Sequence, residues 1–260
     1  MKVRLIVLMM ATVMGLAVSF GSLAGEGDPQ VTDIKDWNKP GGEETEAMKL
    51  KPDRKRGIAV FEICSACHLT EGWGQKDGTF PQLAGQHRNV LIKQLADIRA
   101  KNRDNPTMYP FARNDQILSV AGYHEGEINP AQLVADVTAY ISTLPMNPDN
   151  GKGKWPKGTP EYAQGEKLFK ENCVKCHGKH GEGNNAKFYP RIQGQHYAYM
   201  IRQFKWIRDG KRRNANPDMV RQIKNFSDKD MDMVINYVSR IPVPKKDLAP
   251  SKDWLNPDFD

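Results

Sequence analysis

All four cysteines of the chain fall within two copies of one motif, in which a pair of cysteines separated by two residues is followed directly by histidine. The copies are Cys64, Cys67, His68 and Cys173, Cys176, His177. This spacing is typical of covalent haem c attachment: the thiols bond to the vinyl groups of one porphyrin, and the histidine supplies an axial nitrogen. A zinc site needs further ligands at matching spacing, and a redox dithiol has no use for the histidine. The sequence therefore predicts two covalently bound haem c groups, with iron held at His68 and His177.

The N-terminal segment 1–24 is typical of an export signal. Lys2 and Arg4 precede an apolar run over positions 5–20, and the small residues Ser22 and Ala24 follow. This pattern predicts a secretory signal peptide that is cleaved after Ala24. The alternative is an uncleaved anchor, although the apolar run is too short for a full membrane span. No later segment is long and apolar enough to cross a bilayer, and haem c is attached on the exported side, so we predict a periplasmic protein.

The two motifs belong to an internal duplication, since the offset in sequence that relates His68 to His177 also relates other residues of the two units. The matched residues are Phe80-Pro81 with Tyr189-Pro190, Gly85-Gln86-His87 with Gly194-Gln195-His196, Gln94 with Gln203, and Ile98-Arg99 with Ile207-Arg208. Each unit spans roughly 80 to 90 residues, which is small for an independent core. A haem in each unit supplies a large apolar body around which short helices can pack.

Apolar residues recur at helical spacing in both units, and no segment has the alternation of a strand. Ser227 is a plausible N-cap for the last helix. We predict an all-α fold with three main helices in each unit. These cover residues 56–64, 88–101 and 130–143 in the first unit, and 163–173, 197–209 and 228–240 in the second.

With these motifs the chain resembles class I cytochromes c, specifically the two-domain dihaem cytochromes c of the c4 type, over nearly all of residues 55–243. The resemblance implies a tandem pair of cytochrome c domains, each a few helices wrapped around one haem. The domains would cover residues 55–144 and 161–243, with a linker at 145–160. In this fold the first and last helices cross at a glycine and aromatic residues. The matching residues are Gly57 and Phe61 against Tyr140, and Gly165 and Phe169 against Tyr237.

The resemblance also implies a methionine as the second axial ligand, on the loop before the last helix. Met108 and Met219 hold this place, at nearly equal distances in sequence after their histidines. A thioether ligand raises the reduction potential, as expected for an electron carrier. The alternative role for either methionine is core filling. Beyond Met108, the first unit carries an insertion around 113–129 that the second unit lacks.

Prolines and apolar residues complete the expected haem sites. In class I cytochromes the carbonyl of a proline fixes the axial histidine by accepting a hydrogen bond from its second ring nitrogen. Pro81 and Pro190, each at the same distance in sequence after its histidine, hold that place in this chain. By the same resemblance, Leu83 and Ile192 are expected to pack against the haems.

Three further histidines are not expected to bind iron. His87 and His196 recur in both units, and we interpret them as structural residues or as residues near a haem edge. His124 lies in the insertion of the first unit, where we expect an exposed loop histidine rather than a competing ligand.

Charge is unevenly distributed along the chain, whose net charge is +7. Residues 25–51 carry a net charge of −3, residues 52–144 are balanced, and residues 151–246 carry +12. We predict that the second domain attracts redox partners with an acidic docking face; the alternative is a solvated face without a specific partner. Nucleic acid is not expected as a partner of an exported haem protein. The basic residues near Met219 are Lys205, Arg208, Lys211, Arg212, Arg213, Arg221 and Lys224.

Polar extensions flank the two domains at residues 25–54 and 244–260, and each contains an Asp-Trp pair. We expect Trp37 and Trp254 to pin these extensions to the domains, with docking to a partner as the alternative.

Every specific motif is accounted for by haem binding, so the sequence predicts an electron carrier without catalysis of its own. The protein would relay electrons between a periplasmic donor and a membrane-bound or soluble acceptor. The alternative is the haem-bearing subunit of a periplasmic dehydrogenase complex that oxidises a sulfur compound or an alcohol. Peroxidase and gas-sensor functions both require an open iron face.

Overall fold

The computed structural model describes residues 41–259; the predicted signal peptide and Trp37 lie outside them. Within this range the chain is helical, and its only extended pairings are the isolated bridges Met146–Leu248 and Asn184–Tyr189. The predicted all-α fold is therefore confirmed. In residues 41–259 no helix combines the length and the apolar character needed to cross a membrane.

Within the described range, one α-helix lies in the N-terminal extension, five form the first unit and five form the second. The extension contains α1 (Gly42–Lys49), and the first unit contains α2 (Arg54–His68), α3 (Arg88–Arg99), α4 (Tyr109–Ala112), α5 (Asn114–Val120) and α6 (Pro130–Ile141). Those of the second unit are α7 (Pro160–Asn172), α8 (Val174–His177), α9 (Tyr197–Arg208), α10 (Pro217–Ile223) and α11 (Asp228–Val238). The predicted helices match these within a few residues, except that α2 continues through its whole haem motif. Ser227 caps α11 as expected, in a reciprocal capping box with Asp230.

The first and last main helices of each unit cross at a glycine. A Cβ atom on Gly57 would lie 2.5 Å from the carbonyl oxygen of Asp136, and one on Gly165 would lie 2.1 Å from that of Met233. No larger residue fits at either position, because protein interiors leave no room for such overlap. Aromatic rings pack beside each crossing: Phe61 with Tyr140 at 5.4 Å and Phe169 with Tyr237 at 5.5 Å between centroids.

The insertion in the first unit is folded onto the domain. Its helix α5 packs against α2 and buries Ile117 and Leu118 in the core of the first unit. His124 follows α5 and is exposed, as expected for a loop histidine. The extra residues therefore enlarge a core that already contains Leu133 and Val134.

Residues 145–160 join the two units as a well-bonded segment. Asn150 donates to the carbonyl oxygens of Gln195 and Ser239, at 2.9 and 3.0 Å. Trp155 and Asn236 exchange two hydrogen bonds, each 2.9 Å long. The segment, which reads as a linker in the sequence, is thus fixed along the second unit.

The C-terminal tail leaves the second unit and returns to the first. The ring of Trp254 lies 5.9 Å from that of Trp73, and Phe259 lies 5.9 Å from Phe61. Asn256 donates to the carbonyl oxygen of Thr70 at 2.6 Å. Trp254 therefore pins the tail to a domain, as predicted, and that domain is the first.

The described part of the N-terminal extension is also pinned to the first unit. Helix α1 packs against α3 and α6 and buries Ala47 completely. Glu43 forms an ion pair with Arg99 at 2.7 Å. Glu44 and Asp97 flank the buried ammonium group of Lys93, at 3.4 and 3.1 Å.

Candidate functional site

Both cysteine–histidine motifs open into one cavity of about 1080 Å³ that is continuous between the two units. The cavity brings together all of the predicted haem-site residues. They are Cys64, Cys67, His68, Pro81, Leu83 and Met108 from the first unit, and Cys173, Cys176, His177, Pro190, Ile192 and Met219 from the second. Apolar side chains such as Val60, Ile98, Phe204 and Val238 line much of the remaining wall.

The first cysteine of each motif is held in an apolar setting beside the cavity. Burial, together with a smaller effect of neighbouring Cys67, raises the pKa of the Cys64 thiol to about 12. In the second unit, burial and the smaller effect of Cys176 likewise raise the pKa of Cys173 to about 12. Thiols with such high pKa values exchange disulfides slowly, because the thiolate is the reactive form. The site is therefore unsuited to dithiol redox chemistry.

Each motif histidine is held in one orientation by a proline carbonyl. His68 Nδ1 donates to the carbonyl oxygen of Pro81 at 2.9 Å, and His177 Nδ1 donates to that of Pro190 at 3.0 Å. Since a carbonyl can only accept, the hydrogen must lie on Nδ1, and Nε2 keeps its lone pair. Burial lowers the pKa of both histidines, which favours the neutral ring that a metal ion requires.

The two methionines lie on similarly built turns, each opened by an Asn-Pro pair. In the first unit, the backbone N–H of Met108 donates to the side chain of Asn105 at 3.2 Å, and Met108 is the N-cap of α4. In the second, Asn216 caps α10 by accepting from the backbone N–H of Asp218 at 2.8 Å, and Met219 follows in the first turn. Both side chains are partly buried and line the cavity.

The units meet through two glutamines that the sequence repeat relates to one another. Gln86 accepts from the backbone N–H of Arg191 and donates to its carbonyl oxygen, both at 2.9 Å. Gln195 makes the same two bonds to the backbone of Gln82, at 3.0 and 2.8 Å. Each glutamine amide thus makes the two hydrogen bonds to the backbone of the opposite unit that a neighbouring β-strand would make. The two pairs of bonds are related by an approximate two-fold symmetry.

The repeated histidines are also part of this interface. His87 Nε2 donates to the carbonyl oxygen of Glu182 at 2.8 Å, and His196 Nε2 donates to that of Trp73 at 2.7 Å. His196 Nδ1 accepts from the backbone N–H of Gly151 at 3.0 Å. Neither histidine lines the cavity. Of the two predicted alternatives, structural residues or residues near a haem edge, these hydrogen bonds favour the structural one.

Arg103 and Arg212 line the cavity, although the sequence analysis assigned neither of them to the haem sites. Arg212 belongs to the basic set near Met219, for which the charge pattern predicts a role in docking. The structure corrects this for Arg212, because its guanidinium faces the cavity and donates to Gln203 and Gln94. Burial and the nearby Arg103 lower the pKa of Arg212 to about 9. The offset that relates His68 to His177 relates these two arginines as well, so the sequence contained a signal for them.

The residues of the cavity fit two haem c groups. Each half of the cavity holds a cysteine pair, a histidine with a free Nε2, a methionine and an apolar wall. Arg103 and Arg212 add positive charge to the wall of the same cavity. Among the described residues, no group of three or more histidine, cysteine or acidic side chains forms a separate metal site.

Two family models match the chain. The model of cytochrome c matches residues 54–145, and that of subunit III of cbb3-type cytochrome c oxidase matches residues 160–238. Together they cover both units and include both haem motifs. The prediction of two covalently bound haem c groups is confirmed by these matches.

The proteins similar to this chain include a cytochrome c4 and an electron acceptor of thiosulfate dehydrogenase. Cytochrome c4 of Stutzerimonas stutzeri is 31% identical over 72% of this chain and 88% of its own length. The thiosulfate dehydrogenase electron acceptor of Stutzerimonas stutzeri strain A1501 is 29% identical over 68% of this chain and 78% of its own. The crystal structure of reduced cytochrome c4 from Pseudomonas stutzeri superimposes with a TM-score of 0.59 at 27% identity, covering 74% of this chain and all of that one. The chain therefore belongs to the cytochrome c4 family of dihaem class I cytochromes c.

Proposed function

We propose that this protein relays electrons between a periplasmic donor and a membrane-bound or soluble acceptor, without catalysis of its own. The observation that carries the proposal is the single cavity that contains both haem motifs and both methionines. Each haem supplies a one-electron ferric–ferrous couple when bound. Because the cavity is continuous between the units, the path between the two redox centres is short.

In this proposal the cavity residues divide into three roles. The cysteines would attach the haems, the histidines and methionines would supply two protein ligands to each iron, and the prolines and apolar residues would fix these ligands and exclude water. Two protein ligands to each iron would leave no position for a substrate or a gas. Iron would be held by His68 and Met108 in the first domain (residues 55–144), and by His177 and Met219 in the second (residues 161–243).

The proposed periplasmic location is supported by residues 1–24, which have the pattern of an export signal. Attachment of haem c takes place on the same side of the membrane. The location and the cofactor therefore agree.

We further propose that an acidic redox partner docks beside the second haem. Lys211 and Lys224 are exposed there, and Trp206 lines the cavity while remaining 38% exposed. Part of the basic surface is already neutralised, because Asp228 pairs with both Lys205 and Arg208. An encounter guided by charge should slow as salt is added, since the Debye length falls to about 8 Å at physiological ionic strength.

A second candidate function is the electron-accepting subunit of a periplasmic dehydrogenase complex. It is favoured by the 29% identity to a protein named for accepting electrons from thiosulfate dehydrogenase. Copurification of a larger periplasmic subunit with dehydrogenase activity would support this candidate over a free carrier.

The ferric optical spectrum tests the axial ligands directly. Methionine bound to ferric haem gives a weak band in the far red, so the wild type should show two bands' worth of intensity. Met108→Ala and Met219→Ala should each lose half of it. Met48→Leu is the matched control, because Met48 packs on the core of the first unit and does not line the cavity. One band or none in the wild type would contradict the proposal.

A further inference from the structure

Arg103 and Arg212 form one polar cluster that crosses the boundary between the units. Arg103 Nη1 donates to Gln94 Oε1 in its own unit at 2.9 Å, and Nη2 reaches Gln203 Oε1 in the other at 3.3 Å. Arg212 mirrors this, with Nη1 at 3.1 Å from Gln203 Oε1 and Nη2 at 2.6 Å from Gln94 Oε1. Each guanidinium therefore contacts both domains, and the two share the same pair of acceptors.

The acceptors in this cluster are neutral. Besides the glutamines, Arg103 donates to the hydroxyl of Tyr199 at 3.3 Å and Arg212 to the amide oxygen of Asn214 at 3.2 Å. Within residues 41–259 neither guanidinium forms an ion pair with a carboxylate. The carboxylate of Asp97, which acts on Arg212 from nearby, is itself 3.1 Å from the ammonium group of Lys93.

Two guanidinium groups that share their acceptors repel one another, and the repulsion grows as water is removed. Such a cluster is stable when an anion faces it. Both arginines line the cavity that fits two haem c groups. Each haem carries two carboxylate groups, which must find charged or polar partners when the porphyrin is buried. Arginine is suited to the task because its planar fork binds a carboxylate with two hydrogen bonds.

We propose that Arg103 and Arg212 form a shared anion site that receives haem carboxylate groups from both domains and so sets both reduction potentials. A positive charge beside a haem favours the reduced state, whose net charge is lower by one. Because each arginine contacts both units, each raises the potential of its own haem and of the neighbouring one. The two arginines are positioning residues and do not bind iron.

The test measures both potentials by optical redox titration of the haem-loaded protein. In Arg103→Gln and in Arg212→Gln, both potentials should fall, each by about a tenfold change in the reduction equilibrium, which corresponds to about 59 mV for one electron. Arg113→Gln is the control, because it removes the same charge from an exposed pair with Asp115 outside the cavity. A fall in only one potential would overturn the shared site, and no fall would overturn the anion site altogether.

A second readout separates this role from a merely structural one. Without the arginine, the haem carboxylates should have higher pKa values. As the pH is lowered, both reduction potentials should therefore begin to rise at a higher pH in the variants than in the wild type.

If the glutamine variants fail to retain haem, Arg103→Lys and Arg212→Lys can be measured in their place, because lysine keeps the charge but lacks the planar fork of the guanidinium. Both potentials should then fall by less than the tenfold change expected for glutamine, because the ammonium group keeps the charge but cannot bind a carboxylate as the guanidinium fork does. Unchanged potentials would overturn the proposal. If the wild type lacked the far-red methionine band but the arginine substitutions still lowered both potentials, the proposed methionine ligands would be refuted and the anion site would stand.

Discussion

Replacing Gln195 by leucine should destabilise the contact between the domains, because this side chain bonds to several backbone groups in the buried interface. It accepts from the backbone N–H groups of Gln82 and His196, both at 3.0 Å, and donates to the carbonyl oxygen of Gln82 at 2.8 Å. Gln82 is only 3% exposed, so water cannot replace the lost bonds. Leucine has a similar volume, and the substitution therefore removes the bonds without opening a large void.

The expected cost follows from those groups. A buried donor or acceptor left without a partner costs about 1–3 kcal/mol, and the three groups share one site, so their costs do not simply add. We expect the free energy of unfolding to fall by about 2–4 kcal/mol. Gln86→Leu breaks the related bonds to Arg191, which is half-buried, so water can reach them and the loss should be smaller.

Urea unfolding of the haem-loaded protein measures both effects, with circular dichroism as the signal. Gln116→Leu is the control, because Gln116 is exposed on α5 and its change should stay within about 0.5 kcal/mol. A loss for Gln195→Leu no larger than that of the control would refute the reasoning. So would a larger loss for Gln86→Leu than for Gln195→Leu, because burial would then not determine the cost.

Two further predictions concern the interface and the helix crossing. Burial lowers the pKa of His196, so the folded protein binds fewer protons there than the unfolded chain. The stabilisation should be fully present above about pH 6.5 and should be lost as the pH falls below that value. In urea unfolding, His196→Gln should lose this part of the pH dependence, and the control His124→Gln should keep it. Gly57→Ala should lower the free energy of unfolding by about 1–3 kcal/mol, because the added methyl group would overlap the Asp136 carbonyl; an unchanged melting temperature would contradict this.

Much of the haem environment is predictable from the sequence because it is local. The motif cysteines and histidines are neighbours in sequence, and Pro81 and Pro190 follow their histidines at a fixed distance. The helices and the N-cap at Ser227 are likewise recognised from residues that lie only a few positions apart in the sequence. Such signals require no knowledge of how the two units are placed.

The interface could not be predicted in the same way. Gln86 and Gln195 are visible as a repeated pair, but their partners lie far away in the sequence, in the other unit. Arg212 carries a charge, and most charged residues are exposed, so composition alone assigns it to the surface. Only the placement of both units shows that it points inward.

The path of the C-terminal tail has a consequence for biogenesis. Trp254 and Phe259 complete the core of the first unit, although the linker and the whole second unit are synthesised in between. The first domain therefore cannot reach its final packing until the whole second unit and the tail have been synthesised. Docking of the tail is therefore the last step in the packing of the first domain, and the direction of synthesis places this step after the second unit has been made.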